Sequence, residues 1–347
     1  MFESQPGTPT RRQWLRLSMG AGLGASAGLL SQGALGRAST DKAADWVWRE
    51  RLMVGLGTTL TLRAGHADGS RADTGLDAAV AAIRHVEQQM SLFIADSAIS
   101  RLNRDGFLNN PHPDLVKVLQ LAHHVSAQSL GAFDVTVQPL WLAWAAAQRQ
   151  GRLPTRSELD AARARVGWKK LEVSADRIGF LQPQMALTLN GIAQGFAGDL
   201  ARKALQAHGV DHALIDTGEW SAWGQSPEQT PWTLGIANPR LENALIAKIN
   251  MDGRAIATSS DAHYRFGADD VHHHIFDPHT GYSPRALASA TVLAPTCALA
   301  DALTKVMFMG DAAQALVLAK RWKVDVLVVE KKGPWRASEG LLKALVA

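Results

Sequence analysis

The 347-residue chain contains one cysteine, Cys297, so no internal disulfide can form. Core packing must therefore hold the fold together. An apolar fraction of 46% supplies enough core for one large domain or two lobes. Internal repeats are lacking, and so are low-complexity stretches beyond the N-terminal region, which excludes repeat architectures.

A strong net charge is lacking once the N-terminal region is set aside, because the rest of the chain is close to neutral. Residues 1–38 hold four arginines and Glu3, so 32 of the 36 basic and 31 of the 32 acidic side chains remain in the rest of the chain. Nucleic-acid binding requires a net basic surface. We therefore expect no nucleic-acid partner, although the isoelectric point of the whole chain is about 9.3.

A membrane-spanning run is also lacking. The stretch at 19–35 is only mildly apolar and short of the roughly 20 strongly apolar residues that a span requires. It follows Thr10-Arg11-Arg12-Gln13-Trp14-Leu15-Arg16, which has the pattern of a twin-arginine export signal, and small residues precede Ala38. The alternative is a disordered basic tail. We predict a signal peptide at 1–38 and one domain at 39–347, located in the periplasm or loosely associated with the inner membrane and not spanning it.

Hydrophobic periodicity predicts a mixture of helices and strands without a regular βαβ rhythm, which favours an α+β fold. The predicted helices are 76–92, a short turn after Ser97, 115–130, 196–208, 298–309 and 312–321. The predicted strands are 53–63 (interrupted by glycines), 178–189, 212–216, 233–237, 245–251 and 324–329. Residues 151–170 are predicted to be a surface insertion.

Two glycines lie where a predicted strand gives way to a helix, in Leu189-Asn190-Gly191-Ile192-Ala193-Gln194-Gly195-Phe196. Backbone amides at such a helix start can meet phosphate oxygens without interference from side chains. The string matches neither G-x-G-x-x-G nor a P-loop. A tight turn that packs the helix on the strand explains it equally well.

The segment His272-His273-His274-Ile275-Phe276-Asp277-Pro278-His279-Thr280-Gly281-Tyr282 places imidazoles and a carboxylate ahead of a Pro/Gly turn. This composition suits proton transfer, an oriented base or metal ligation. A zinc site would use His272, His274, Asp277 and His279. Consecutive ligands on one strand alternate faces, however, and cannot easily close a tetrahedron. Farther on, Asp301 lies at the head of an apolar helix, where a helix-capping role is the alternative.

Taken together and in this order, these segments resemble the FAD:protein FMN transferase (ApbE) family. The matching segments are Gly57-Thr58, Ser100-Arg101-Leu102-Asn103, Gly131-Ala132-Phe133-Asp134-Val135-Thr136-Val137, the 190–195 turn, Gly218, Thr258-Ser259-Ser260, the 274–282 string and Ala300-Asp301-Ala302-Leu303. Within the family, the turn and Asp216-Thr217-Gly218-Glu219 resemble a twin-arginine-exported, NosX-like branch that serves nitrous oxide respiration.

The resemblance implies a two-lobed, T-fold-like domain of mixed, largely antiparallel sheets flanked by helices, with FAD in the cleft. The flavin ring would lie near Gly57, Thr58, Ala132, Phe133 and Asp134, with Thr188 where the family has an aspartate that contacts flavin. The pyrophosphate would lie near Gly191, Thr258, Ser259 and the start of the Asp301 helix. Mg²⁺ would be held by the Gly191 carbonyl, Asp301 and Thr304. His274, positioned by Asp277, would be the base.

The implied reaction joins FMN to a threonine or serine of an acceptor protein and releases AMP. The branch implies as acceptor a flavoprotein of respiratory electron transfer, such as the regulatory flavoprotein of nitrous oxide reductase. The family has threonine where this chain has Lys305, one helical turn after Asp301. Lys305 would contact the phosphates and weaken magnesium binding, or form a salt bridge with Asp301 in a protein without activity. A flavin-binding accessory protein without catalytic activity is the alternative function.

Overall fold

The computed structural model describes residues 46–262, 264–267 and 271–346. The predicted signal at 1–38 and the predicted domain start at residue 39 lie outside these residues. Across the described ranges, every helix is too short or too polar to cross a membrane.

The strands are short and are distributed along the whole described chain. They are β1 (Val47–Gly55), β2 (Thr58–His66), β3 (Phe107–Asn109), β4 (Leu171–Val173), β5 (Arg177–Phe180), β6 (His212–Asp216), β7 (Trp220–Trp223), β8 (Thr233–Ala237), β9 (Leu245–Asn250), β10 (Ala255–Ser260), β11 (Leu287–Ala294), β12 (Asp325–Glu330), β13 (Trp335–Ala337) and β14 (Leu345–Val346).

Helices alternate with these strands in no fixed rhythm. They are α1 (Gly69–Met90), α2 (Ala98–Asp105), α3 (Pro113–Gln128), α4 (Gln138–Arg149), α5 (Arg156–Arg163), α6 (Ala193–Ala207), α7 (Cys297–Phe308), α8 (Ala312–Trp322) and α9 (Glu339–Ala344). A 3₁₀ turn lies at Trp168–Lys170.

One eight-stranded sheet organises the molecule, in the order β1-β2-β6-β7-β10-β11-β12-β13. Every neighbouring pair in it is antiparallel. Two three-stranded antiparallel sheets, β14-β9-β8 and β3-β5-β4, complete the fold. The predicted α+β class with largely antiparallel sheets is therefore confirmed.

Helix α1 shows how the apolar pattern places a helix on the sheet. Leu76, Ala79, Ile83, Val86 and Met90 recur at helical spacing and are all buried. Burial of each large aliphatic side chain contributes about 1.5–3 kcal/mol. The helix begins where the Asp68 carboxylate accepts a hydrogen bond from the Ser70 amide. Its apolar face therefore fixes α1 against the sheet and α6.

The two faces of the large sheet carry different layers. Helices α1, α6, α7 and α8 cover one face and share the main core with it. On the other face, side chains of β8 and β9 join those of the large sheet in a second core around Trp220, Trp232 and Leu293. A third core around Trp144 and Phe266 joins α4 and α5 to the segment that follows β10.

Two strand predictions differ from the structure, and some strands were not predicted. The predicted strand 53–63 is the antiparallel hairpin β1–β2, because Gly57, with φ of +77°, forms the turn between them. Of 178–189, only the first residues are strand. β7, β10 and β11 were not predicted, because small or mixed residues give them no alternating apolar pattern.

Candidate active site

A cleft of about 320 Å³ opens where α7, the end of β10 and three loops meet. Small-molecule sites occupy roughly 300–1,000 Å³. The predicted site residues that line the cleft are Ala132, Phe133, Asp134, Thr188, Gly191, Ser259, His274 and Lys305. The remaining lining residues were not predicted and are mainly apolar: Leu92, Phe93, Val135, Val137, Gln138, Trp141, Asn190, Ile275, Phe276, Pro278 and Met309.

Asp134 organises the loop that follows α3. One carboxylate oxygen accepts hydrogen bonds from the Thr136 amide (2.7 Å) and hydroxyl (2.6 Å), and the other accepts from the Trp168 amide (2.9 Å). Burial raises the pKa of Asp134, while these hydrogen bonds act in the opposite direction. Both oxygens are thus engaged inside the protein, and the effect of Asp134 is to hold Phe133 at the cleft.

The turn before α6 is tied to the same loop, because the Thr188 amide donates to the Val135 carbonyl at 2.8 Å. Gly191 follows in the turn. A Cβ added there would lie 3.2 Å from Lys305 Cε and 3.5 Å from the Phe133 ring. Glycine therefore lets the lysine stem and the aromatic ring close around the turn.

Asp301 lies completely buried in the second turn of α7. Its Oδ1 forms an ion pair with the Lys305 ammonium, and its Oδ2 accepts a hydrogen bond from the Gly195 amide at 3.3 Å. The Gly195 amide belongs to the first turn of α6, where N–H groups lack partners within the helix and favour anions. Asp301 is therefore a carboxylate held between a lysine and a helix N-terminus.

Lys305 lies between the Asp301 carboxylate and the cleft. Its Nζ also donates to the Asp301 carbonyl at 3.1 Å, and its side chain is 17% exposed. The stem runs past Gly191, so the ammonium lies between the Gly191 turn and the Asp301 carboxylate. The salt bridge between Lys305 and Asp301, which was one of the two roles predicted for Lys305, is thus present.

Thr304 does not point a free hydroxyl at Asp301. Its Oγ1 donates to the Asp301 carbonyl at 2.7 Å and is hydrogen bonded to the Ser259 hydroxyl at 2.7 Å. Mg²⁺ needs close to six oxygens in an octahedral arrangement. Here the ammonium takes the carboxylate oxygen that a metal would use, and the two cations would repel each other. The arrangement of Gly191, Asp301 and Thr304 therefore does not fit the implied magnesium ion.

His274 lines the cleft, and its backbone amide donates to the Tyr264 carbonyl. Asp277 does not orient it, so this part of the prediction is wrong. The Asp277 carboxylate accepts hydrogen bonds from the His279 amide (2.9 Å) and the Thr280 hydroxyl (3.0 Å), and it lies 3.1 Å from His279 Nδ1. A carboxylate that begins a turn binds the amide two residues later, which fixes Asp277 on its own turn.

The other histidines of the string point to separate places. His273 is fully buried with Nε2 3.1 Å from the Pro284 carbonyl oxygen, and burial lowers its pKa to about 4. His272 packs on the Trp144 ring at 5.0 Å, and His279 lies 3.1 Å from the Leu130 carbonyl oxygen. Among the described residues, this string contributes to no group of ligand atoms close enough to share an ion. The zinc alternative for the string is therefore not supported.

Three predicted residues lie beside the cleft without lining it. Gly57 lies in the β1–β2 turn and Thr58 is the first residue of β2; a Cβ on Gly57 would lie 3.6 Å from the Phe93 ring at the cleft. Thr258 faces the other side of β10, where its hydroxyl pairs with that of Thr291 at 2.9 Å. Thr258 and Ser259 were both predicted to lie near the pyrophosphate. They are consecutive residues of a strand and point to opposite faces, so only Ser259 faces α7.

Asp199 on α6 is a residue that the sequence did not reveal. Its two carboxylate oxygens accept hydrogen bonds from the Cys297 amide (2.7 Å) and the Ala298 amide (3.0 Å) at the start of α7, and burial raises its pKa. These amides were expected to face the pyrophosphate, but a protein carboxylate satisfies them. The pairing joins residues about 100 positions apart, so no local pattern could indicate it.

Comparison with known proteins gives one consistent family. The profile of the ApbE family matches residues 56–328. The FAD:protein FMN transferase of Vibrio cholerae serotype O1 is 30% identical over 292 residues, which cover 80% of this chain and 85% of that protein. The FAD:protein FMN transferase of Escherichia coli K12 is 29% identical over 261 residues, which cover 71% of this chain and 74% of that protein.

Solved structures show the same fold. The apo form of the Pseudomonas stutzeri flavinyl transferase ApbE matches with a TM-score of 0.76 and 27% identity, covering 87% of this chain and 98% of that chain. The ApbE protein of Thermotoga maritima matches with a TM-score of 0.79 at 24% identity, covering 87% of this chain and all of that chain.

Proposed function

The chain belongs to the ApbE family, and we propose that it transfers FMN from FAD to a hydroxyl of an acceptor protein. In this reaction the acceptor threonine or serine oxygen forms a bond to the FMN phosphorus. The bond from that phosphorus to the bridging oxygen breaks, and AMP leaves with that oxygen. The hydroxyl proton passes to a base on the enzyme.

The observation that carries the proposal is that His274 and Lys305 line the same cleft, which is otherwise mostly apolar. Phe133, Trp141 and Phe276 provide aromatic and apolar surface of the kind that a flavin ring requires. Gly191 and Ser259 lie beside the lysine and offer polar backbone and hydroxyl groups to a pyrophosphate. In this proposal His274 accepts the proton of the acceptor hydroxyl.

The charge of the transferred phosphate requires a cation, and Lys305 is the lysine that lines the cleft among the described residues. A lysine ammonium binds phosphate as a point charge. We assign it part of the stabilisation of the phosphate oxygens. Movement of the ammonium from Asp301 towards the phosphates would leave Asp301 bonded to the Gly195 amide.

The location and the acceptor are proposed from the sequence. The Arg11-Arg12 pattern and the apolar stretch after it support export by the twin-arginine route to the periplasm. The amino-acid sequence of the 189–195 turn supports membership of the NosX-like branch. We therefore propose that the acceptor is a flavoprotein of respiratory electron transfer, for which the regulatory flavoprotein of nitrous oxide reductase is the first candidate.

The test incubates the full chain with FAD and this acceptor and measures AMP by chromatography and the acceptor's mass. We expect AMP together with an acceptor that gains one FMN unit. An acceptor with alanine at the modified hydroxyl is the control and should gain nothing. Bound FAD without AMP would instead indicate a flavin carrier, and AMP with no gain of mass would indicate hydrolysis of FAD.

A further inference from the structure

Three potential metal ligands meet outside the cleft, on the outer surface of α1 and α3. His85 comes from α1, His112 is the N-cap of α3, and Asp114 lies in the first turn of α3. Each offers one ligand atom, and all three atoms lie within 4.8 Å of one another. From this geometry we propose that His85, His112 and Asp114 bind a zinc ion.

The distances suit a shared ion better than a hydrogen bond. His85 Nε2 lies 3.4 Å from Asp114 Oδ2, and His112 Nδ1 lies 3.6 Å from the same oxygen. Two ligands that each lie 2.0–2.1 Å from a tetrahedral zinc are about 3.3 Å apart. In that geometry the nitrogen lone pair points at the ion, about 35° away from the neighbouring oxygen, which is poorly aligned for a hydrogen bond.

His85 has a buried ring nitrogen that lacks a hydrogen bond among the described residues, as the poor alignment with the carboxylate implies. This atom is Nε2, and the Asp114 carboxylate is near it. A buried polar atom without a partner is unfavourable and calls for an explanation. A zinc ion between Nε2 and Asp114 Oδ2 would satisfy both atoms.

Zinc binding would keep one of the remaining contacts and replace another. The Lys117 ammonium bonds to Asp114 Oδ1 at 3.1 Å and leaves Oδ2 to face the imidazoles. His112 Nδ1 accepts a hydrogen bond of 3.2 Å from the Asp114 amide, and zinc binding through this nitrogen would replace that bond. The side chain of His112 is 44% exposed, so water can reach the ion and supply a fourth ligand.

The ligand set selects the metal. Two imidazoles and one carboxylate suit zinc, whereas Mg²⁺ and Ca²⁺ prefer oxygen ligands alone. Asp114 lies about 20 Å along α3 from the end of the helix that leads to Phe133, so the ion would not touch the flavin cleft. Its effect would be to join α1 to the start of α3 in a chain that cannot form an internal disulfide.

The experiment measures zinc binding to the full chain without an affinity tag, by competition with a chromophoric chelator. We expect one zinc per chain at this site, and a tetrahedral absorption spectrum when Co²⁺ replaces zinc. His85→Gln, His112→Ser and Asp114→Asn should each weaken zinc binding by on the order of 100-fold. Serine at 112 preserves the helix cap, so this variant should remain folded.

His124→Gln is the matched control, because His124 is an exposed histidine on the same helix outside the group. It should bind zinc like the unmodified chain. Zinc should also raise the melting temperature of the unmodified chain and of this control, and not that of the three ligand variants. Equal zinc affinity in the unmodified chain and His85→Gln, or no binding at millimolar zinc, would overturn the proposal.

Discussion

Two histidines of one string, His274 and His272, have different surroundings and should behave differently when replaced. His274 lines the cleft, whereas His272 packs on Trp144. If His274 accepts the hydroxyl proton, His274→Asn should lower the transfer rate by on the order of 10²–10⁴ and leave FAD affinity nearly unchanged. His272→Asn is the control and should have little effect on the rate. Equal losses of rate in both variants would show that the string has a structural role only.

Lys305 has a measurable consequence of its own. Lys305→Thr removes the ammonium from the fully buried Asp301 carboxylate, and loss of one partner of a buried ion pair costs on the order of 3–5 kcal/mol. We expect this loss in denaturant titrations without metal. The freed carboxylate should then accept Mg²⁺, so that millimolar magnesium raises the melting temperature of the variant more than that of the unmodified chain.

The double variant Lys305→Thr/Asp301→Asn is the control for this effect, because it lacks the carboxylate that would bind the ion. Its melting temperature should not respond to magnesium beyond the response of the unmodified chain. Identical magnesium responses in the unmodified chain and in Lys305→Thr would mean that the ammonium does not take the place of a metal.

His273 should make stability depend on pH. Burial lowers its pKa in the folded protein to about 4, from about 6.5 in an unfolded chain, so the unfolded state binds the proton more readily. The stabilisation is complete above pH 6.5 and is lost as the pH falls towards 4, by up to about 3 kcal/mol. Urea unfolding of the unmodified chain and His273→Gln at several pH values measures it. The stability difference between the two should shrink in acid, and parallel curves would contradict the assignment.

At the scale of the secondary structure elements, local patterns predicted some elements and not others. The helices α1, α7 and α8 and the strands β6 and β8 follow from apolar spacing, because their burial is set by side chains close in sequence. All eight residues of β11 are buried, and most are small, so no alternation marks it. Its position in the sheet depends on partners far away in the chain, which a local pattern cannot contain.

In the site, too, contacts between residues close in sequence could be predicted and contacts between distant residues could not. The proximity of Asp301 and Lys305 follows from their spacing of four on one helix. The carboxylate of Asp199 at the start of α7 depends on the packing of α6 against α7, and the partner of Asp277 depends on the conformation of its turn. The sequence therefore indicated which polar residues lie at the cleft better than it indicated the hydrogen bonds that those residues form.

Gly195 on α6 lies directly against the backbone at the start of α7, and this contact can be tested. A Cβ there would overlap the Cys297 carbonyl and lie 2.7 Å from Ala298 Cα, both backbone atoms that cannot move aside. Gly195→Ala should therefore push the helices apart and lower the free energy of unfolding by about 1–3 kcal/mol, with weaker FAD binding. Gly179→Ala is the control, because the nearest atom to its added Cβ is 3.7 Å away. Unchanged stability in Gly195→Ala would contradict the close contact.

At the scale of the whole molecule, the cleft is made by segments from Leu92 to Met309, held together by the eight-stranded sheet. The described chain begins at Trp46, whose ring lies 4.2 Å from that of His212, and continues directly into β1 at the edge of this sheet. A chain of residues 39–347 keeps these contacts. It lacks only the predicted signal, which lies outside the described residues.

We therefore expect a chain of residues 39–347 to bind FAD as tightly as the full chain, measured by titration of flavin fluorescence. A chain of residues 56–347 is the control, because it lacks β1, so that β2 would pair only with β6 and become an exposed edge of the sheet. This shorter chain should bind FAD weakly or be insoluble. If removal of 1–38 lowered FAD affinity more than about threefold, about 0.7 kcal/mol, the N-terminal segment would take part in binding and would not be a signal alone.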